Sequence, residues 1–212
     1  MNKMKISMKK IRKYLREVSV VVLGVAITLS VSVWLNNRSE KRAMELYLKA
    51  IKIEMEENIQ LLEKEIEYYE DMYRYTCYLK SHNEKTLHSD SIMDYSGNTL
   101  GEVHNVIFQT SAFEMFKISG TMRLMNDKEL IQSIWKAYLS LEDVAWNFNF
   151  YYQLKTEEMK KDVQSFQENG SFPPIPLYNF LIIYHNSGRL NLFKDVLEAL
   201  KETSSKLENE NN

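Results

Sequence analysis

Three of the four histidines, His82, His88 and His104, fall in one polar stretch between Ser81 and Asn105, together with Asp90 and Glu102. Imidazoles and carboxylates are zinc ligands, but a zinc site needs them convergent in space, and structural sites show short characteristic spacings. These spacings match no such pattern, and with Ser96-Gly97-Asn98 inside it the stretch reads as a long polar connection. Cys77 is the single cysteine, which excludes an intrachain disulfide; a buried free thiol is expected in preference to a link between two copies. The chain has no Gly-rich phosphate loop, no His-Glu-x-x-His and no Gly-x-Ser-x-Gly. No catalytic residue, metal ligand or cofactor is therefore assigned, and the expected chemistry is binding rather than catalysis.

Two other groups invite a chemical reading. The run Trp146-Asn-Phe-Asn-Phe-Tyr-Tyr152 offers rings on which a planar ligand would stack, although aromatics at helical spacing usually build core. Eight acids lie between Glu54 and Asp71. They suggest a cation or partner surface, but the plainer reading is the solvated face of a helix.

The elements that would position these residues are helical. From Asn37 to about Lys80 there is neither Gly nor Pro, and Leu48, Met55, Ile59, Leu62, Ile66, Tyr69 and Tyr73 recur at heptad-like steps, with Lys52 as the polar entry. Ser111-Ala-Phe-Glu114 has the form of a capping box and Gly120 that of a left-handed stop, predicting a short helix between them. Asn126 or Asp127 caps a long helix to about Glu168, with the line Leu130, Ile134, Tyr138, Leu141, Ala145, Phe148, Tyr152, Met159, Val163 and Phe166. Phe172-Pro-Pro-Ile-Pro176 ends it as a rigid corner. A shorter helix from Leu177 to Asn186 and a last one from Arg189 to about Leu207 complete the chain, and 208–212 is read as a disordered tail.

All of this follows one apolar stretch, Val18 to Leu35, within a window free of charge from Glu17 to Arg38. As a helix of about 20 residues it would rise roughly 30 Å, the thickness of the hydrocarbon core of a bilayer. A transmembrane helix over 18–36 is predicted, ahead of a cleaved signal peptide ending near Ser30-Val31-Ser32 or a buried soluble helix. Residues 1–17 carry seven basic side chains and one acid, against Arg38, Lys41 and Arg42 with Glu40 beyond the span. The positive-inside rule puts 1–17 in the cytoplasm as a basic tail and 37–207 outside. The formal charge of −2 divides into +6 for that tail and −8 for the rest. An acidic exterior domain has no footprint for nucleic acid, whereas the tail suits anionic lipid headgroups. Gly24, Thr28 and Ser32 form a small-residue stripe through which two spans would self-associate.

Glu17, Gly24, Ile27, Leu29, Trp34 and Arg38, with Phe113-Glu-Met-Phe-Lys-Ile-Ser-Gly120, Arg123-Leu124 and Leu130, resemble the pattern of an uncharacterised family of single-span membrane proteins of Gram-negative bacteria. The chain departs from that pattern at Ser32, Val33, Leu35 and Asn36, where the family favours polar amides and an acid. The resemblance implies a membrane-anchored helical protein and carries no activity. The reading is therefore an all-α protein: one N-terminal transmembrane helix continuing into a bundle of long amphipathic helices, in the inner membrane with its domain in the periplasm. Its partners are the lipid bilayer and either a second copy or another membrane or periplasmic protein. The competing function is a small-molecule-binding, sensor-like module.

Overall fold

The computed structural model describes residues 8–82, 105–170, 181 and 187–210. The described residues are helical apart from short connections, and the chain is all-α. Helix α1 runs unbroken from Met8 to Ser81, 74 residues, or about 110 Å at 1.5 Å per residue. With neither Gly nor Pro after Gly24, nothing in the sequence interrupts it. The expected span and the expected amphipathic helix are thus one rigid rod.

Contacts along α1 fix the direction of everything else. Helix α2 (Ser111–Ser119) descends antiparallel to it: Ala112 meets Glu54, Phe116 meets Tyr47, and Arg123, beyond α2, meets Glu40. A 3-10 turn, Thr121–Leu124, follows. Helix α3 (Lys128–Asn169) climbs parallel to α1, with Tyr138 on Glu54, Tyr152 on Glu65 and Lys155 on Tyr68. Helix α4 (Ser187–Glu210) descends again, through the ion pairs Lys194–Glu70, Lys201–Glu63 and Glu208–Lys52. It lies against both α1 and α3. The predicted helix Leu177–Asn186 and the Pro173–Pro176 corner fall largely outside the described residues.

The buried line of α1 is Leu48, Ile51, Met55, Asn58, Leu62, Glu65, Tyr69, Met72, Thr76 and Leu79, a regular alternation of three and four residues. The sequence-derived seam needs correcting here. Ile59 and Tyr73 are only half-buried, and Lys52 is a flanking residue paired with Glu56 and Glu208. In α3, Leu130, Ile134, Tyr138, Leu141, Phe148 and Tyr152 are buried as expected, but Met159, Val163 and Phe166 are not. Among the described residues burial on α3 stops at Lys155, whereas α1 stays buried as far as Leu79.

The helix ends follow local rules with one exception. Asp127 accepts from the Leu130 amide at 2.9 Å and caps α3. Gly120 and Gly170 adopt φ of 70° and 71° at the ends of α2 and α3, the left-handed conformation that costs an L-side chain most. The capping box of α2 does not form: Thr110 precedes the helix without a side-chain cap, and Glu114 pairs with Lys117 instead. The last helix begins at Ser187 and continues to Glu210, so residues 208–210 are helix, not tail.

Candidate functional surfaces and the buried polar layer

Polar side chains on the inner face of α1 organise the bundle. Glu54, only 6% exposed, accepts from the Ala112 amide at 2.7 Å, the Phe113 amide at 3.3 Å and the Tyr138 hydroxyl at 2.6 Å. The first amides of a helix have no partner of their own, so a carboxylate from α1 does for α2 what a cap would have done. Asn58 uses both ends of its amide on the Gln109 backbone, donating to its carbonyl at 2.7 Å and accepting from its N–H at 2.8 Å. From the opposite wall Asn149 of α3 does the same to Val106, at 3.3 and 3.4 Å. The segment Val106–Gln109 is thereby held between two helices by asparagines that imitate a β-partner, with Val106 and Phe108 turned inward and Ile107 outward.

Farther along the bundle, the Tyr152 hydroxyl donates to Glu65 at 3.0 Å, and Lys155 donates to the Tyr68 hydroxyl at 2.8 Å with its ammonium 5.4 Å from that ring. Lys155 is fully buried. A charged group at that depth persists only when hydrogen-bonded and electrostatically balanced. Burial is the main cause that raises the pKa of several core tyrosines. Burial, then the Glu54 hydrogen bond, holds Tyr138 far above the ordinary phenol range. Burial and the Glu65 charge do so for Tyr152, and burial for Tyr151. These phenols keep their protons at any physiological pH.

The sequence-predicted groups are dispersed rather than gathered. The aromatic run divides: Phe148, Tyr151 and Tyr152 enter the core, with Phe148 stacked on Phe193 at 4.2 Å, while Trp146 and Phe150 stack on each other outside at 5.3 Å. Of the acids, Glu54 and Glu65 are buried. His82 closes α1, its ring 4.4 Å from that of Tyr78. His88, Asp90, Glu102 and His104 lie outside the described residues, among which no cluster of His, Cys, Asp and Glu could hold a metal. Cys77, expected to be buried, is exposed.

Gly24, Thr28 and Ser32 lie on an exposed face of α1, with the Thr28 hydroxyl bonded back to the Gly24 carbonyl at 2.9 Å. Nothing in the chain approaches within 4 Å of where a Gly24 side chain would begin. The whole apolar stretch is uncovered: it is long and apolar enough to cross a membrane, and none of its most apolar window is buried. Two open recesses flank the bundle. One of about 410 Å³, between α2 and α3, has Phe113, Trp135 and Tyr138 as its aromatic wall and Lys117 over two of the rings. One of about 470 Å³ lies between α1 and α2 and is lined by Leu46, Ala50, Ile53 and Met115.

Among protein-family models, curated proteins and solved structures, nothing matches this chain.

Proposed function

We propose that the protein is a single-span anchor that presents a helical interaction domain on the far side of the inner membrane, belongs with the single-span family it resembles, and has no catalysis of its own. The observation that carries this reading is the two-fold character of α1. Over Val18–Leu35 every residue is exposed and apolar or small, and from Leu48 onward the same helix supplies the main wall of the core. A soluble protein leaving such a stretch bare would pay heavily in exposed apolar surface, whereas lipid covers it at no cost to the fold. The basic residues before the span set its direction, with the N-terminus cytoplasmic and the domain periplasmic. The reactive groups of the core are engaged in holding helices together, which leaves the outer surfaces for docking a partner or a second copy. The small-residue face Gly24–Thr28–Ser32 is the place for self-association within the bilayer.

Reporter fusions after residue 50 and at the C-terminus, with sizing of the mature chain and alkaline carbonate extraction, test the reading. It requires an uncleaved chain that stays in the pellet, with both reporters active outside. A product beginning near Val33, or release by carbonate, overturns it.

A second reading, a membrane-anchored small-molecule-binding module, draws on the aromatic recess between α2 and α3. Its ligand would meet Phe113, Trp135 and Tyr138 rather than the Trp146–Tyr152 run. Protection of Trp135 fluorescence from a soluble quencher by a metabolite pool would favour it.

A further inference from the structure

We infer that the recess between α2 and α3 is the seat of an organic cation carried on an apolar body, and that the chain's own Lys117 holds that seat until such a ligand displaces it. The inference deepens the second reading above and rests on it. Three rings define the seat. Phe113 stacks on Tyr138 at 4.2 Å with their planes 8° apart, and Trp135 stands at 85° to Phe113 with the ring centres 5.2 Å apart. Two aromatic walls therefore meet nearly at a right angle. The Tyr138 hydroxyl is committed to Glu54 in the core, so it is not offered to a ligand.

A cation already sits against both walls. The Lys117 ammonium lies 5.0 Å from the centre of the Phe113 ring and 5.2 Å from that of Trp135. The faces of aromatic rings attract cations, and cages of such rings recognise quaternary ammonium ligands. The Lys117 arm is lightly held. It pairs with Glu114 at 2.7 Å, one turn back on the outer surface of α2, and both side chains are partly exposed. A surface pair of that kind contributes little, and a flexible four-carbon stem lets the ammonium swing into solvent without moving the backbone.

Charge and shape select the class of ligand. Glu114 and Glu142 both line the recess, and Lys117 is the cation among its lining residues. Once Lys117 swings away, two carboxylates face whatever takes its place, which favours a cation and repels an aromatic or aliphatic acid. The recess follows α3 from Trp135 to Asn149, about 21 Å at 1.5 Å per residue, and its volume of about 410 Å³ is within the range of small-molecule sites. Ile107 and Leu139 border it away from the seat and are 66% and 55% exposed. These two side chains would cover the apolar body of a ligand whose charged end lies between the rings.

The test uses the full chain carrying Trp34→Phe and Trp146→Phe, so that Trp135 alone reports, in micelles of an uncharged maltoside detergent. The probes are butyltrimethylammonium, hexanol and hexanoate. A saturable change in Trp135 emission is expected with butyltrimethylammonium, at concentrations where the alcohol and the acid have none. Lys117→Ala should tighten that binding by up to about fivefold, because the ligand no longer has to break a surface cation–π contact. Glu142→Gln, at an exposed position, should weaken it by about two- to fivefold and leave the near-ultraviolet circular dichroism unchanged. Equal or tighter binding of hexanol or hexanoate, or an affinity that Lys117→Ala leaves unchanged or lowers, overturns the inference while keeping the recess as a site for another class of ligand. No saturable response to any of the three probes, with Lys117 present or replaced by alanine, overturns the second reading along with it.

Discussion

Removing the Glu54 carboxylate gives the sharpest test of how the bundle holds together. Its three donors, the Ala112 and Phe113 amides and the Tyr138 hydroxyl, come from two elements, α2 and α3. In Glu54→Ala each becomes a buried donor without an acceptor, at roughly 1–3 kcal/mol apiece, with the 3.3 Å contact at the low end. The expected loss is about 3–5 kcal/mol, a large fraction of the about 5–15 kcal/mol that holds a domain together. Glu54→Gln keeps one acceptor oxygen for the helix amides and lets its NH2 donate to the Tyr138 oxygen, so it should cost about 1–2 kcal/mol.

The assay is urea unfolding of the full chain in mild detergent, followed by near-ultraviolet circular dichroism. That signal reports the rings beside the site: Phe113 stacks on Tyr138 at 4.2 Å and meets Trp135 edge-on at 5.2 Å. Adding Tyr138→Phe to Glu54→Ala deletes one orphaned donor and should recover about 1 kcal/mol, a coupling that only direct contact produces. If Glu54→Ala unfolds at the wild-type midpoint, or loses no more than Glu54→Gln, the carboxylate is not the cap of α2 and the reasoning fails.

Three further outcomes follow from the same contacts. Stability should be level up to about pH 10 and fall above it by about 1.4 kcal/mol per pH unit for each of Tyr138 and Tyr152. A phenol whose pKa is raised by folding contributes its full stability below its unfolded pKa, and that contribution is lost as the pH climbs; Tyr75, pushed up to about 12 mainly by burial, adds to the fall. Melts at stepped alkaline pH check this, and a flat profile contradicts it. Gly120→Ala should destabilise by about 1–2 kcal/mol through its φ of 70° alone, since open space surrounds the position; equal chemical-denaturation midpoints would refute it. Asn58→Ala should speed hydrogen exchange at the Gln109 amide far more than at Val106, and Asn149→Ala the reverse, because each asparagine holds its own end of the segment.

Apolar period and composition made the helices legible, and local chemistry made most of their ends legible too. The unbroken α1, the Asp127 cap and the Gly120 and Gly170 stops all depend on residues within a turn of the feature they determine. What the sequence concealed depends on distance along the chain. Glu54 caps a helix 58 residues away, and the residues between give no sign of it. The capping-box signature at Ser111–Glu114 was present and unused: Ser111 already belongs to the helix, the Glu114 amide donates to the Thr110 carbonyl, and the Glu114 carboxylate pairs with Lys117. Cys77 points out of α1 where an average cysteine would be inside, since the adjacent Thr76 takes the inward position.

The same lesson explains the misplaced seam. A search for apolar residues at heptad steps passes over Asn58, Glu65 and Thr76, and slides onto Ile59 and Tyr73 to keep its count. The true line runs straight through the three polar residues, each satisfied by a partner that is invisible locally or by its own helix: Gln109, Tyr152 and the Met72 carbonyl. Buried polar groups in a helical seam are costly unless paired, so each admits only a packing that supplies its partner. An all-leucine α1 would bury itself against any apolar helix in several registers. Here Asn58 accepts only an extended backbone and Glu65 only a donor such as Tyr152, which fixes where α3 and the Val106–Gln109 segment sit along the rod. The register that places Tyr152 on Glu65 also places Arg123 on Glu40, at the foot of the domain. Specificity in the core and the height of the domain above its anchor are therefore consequences of one alignment.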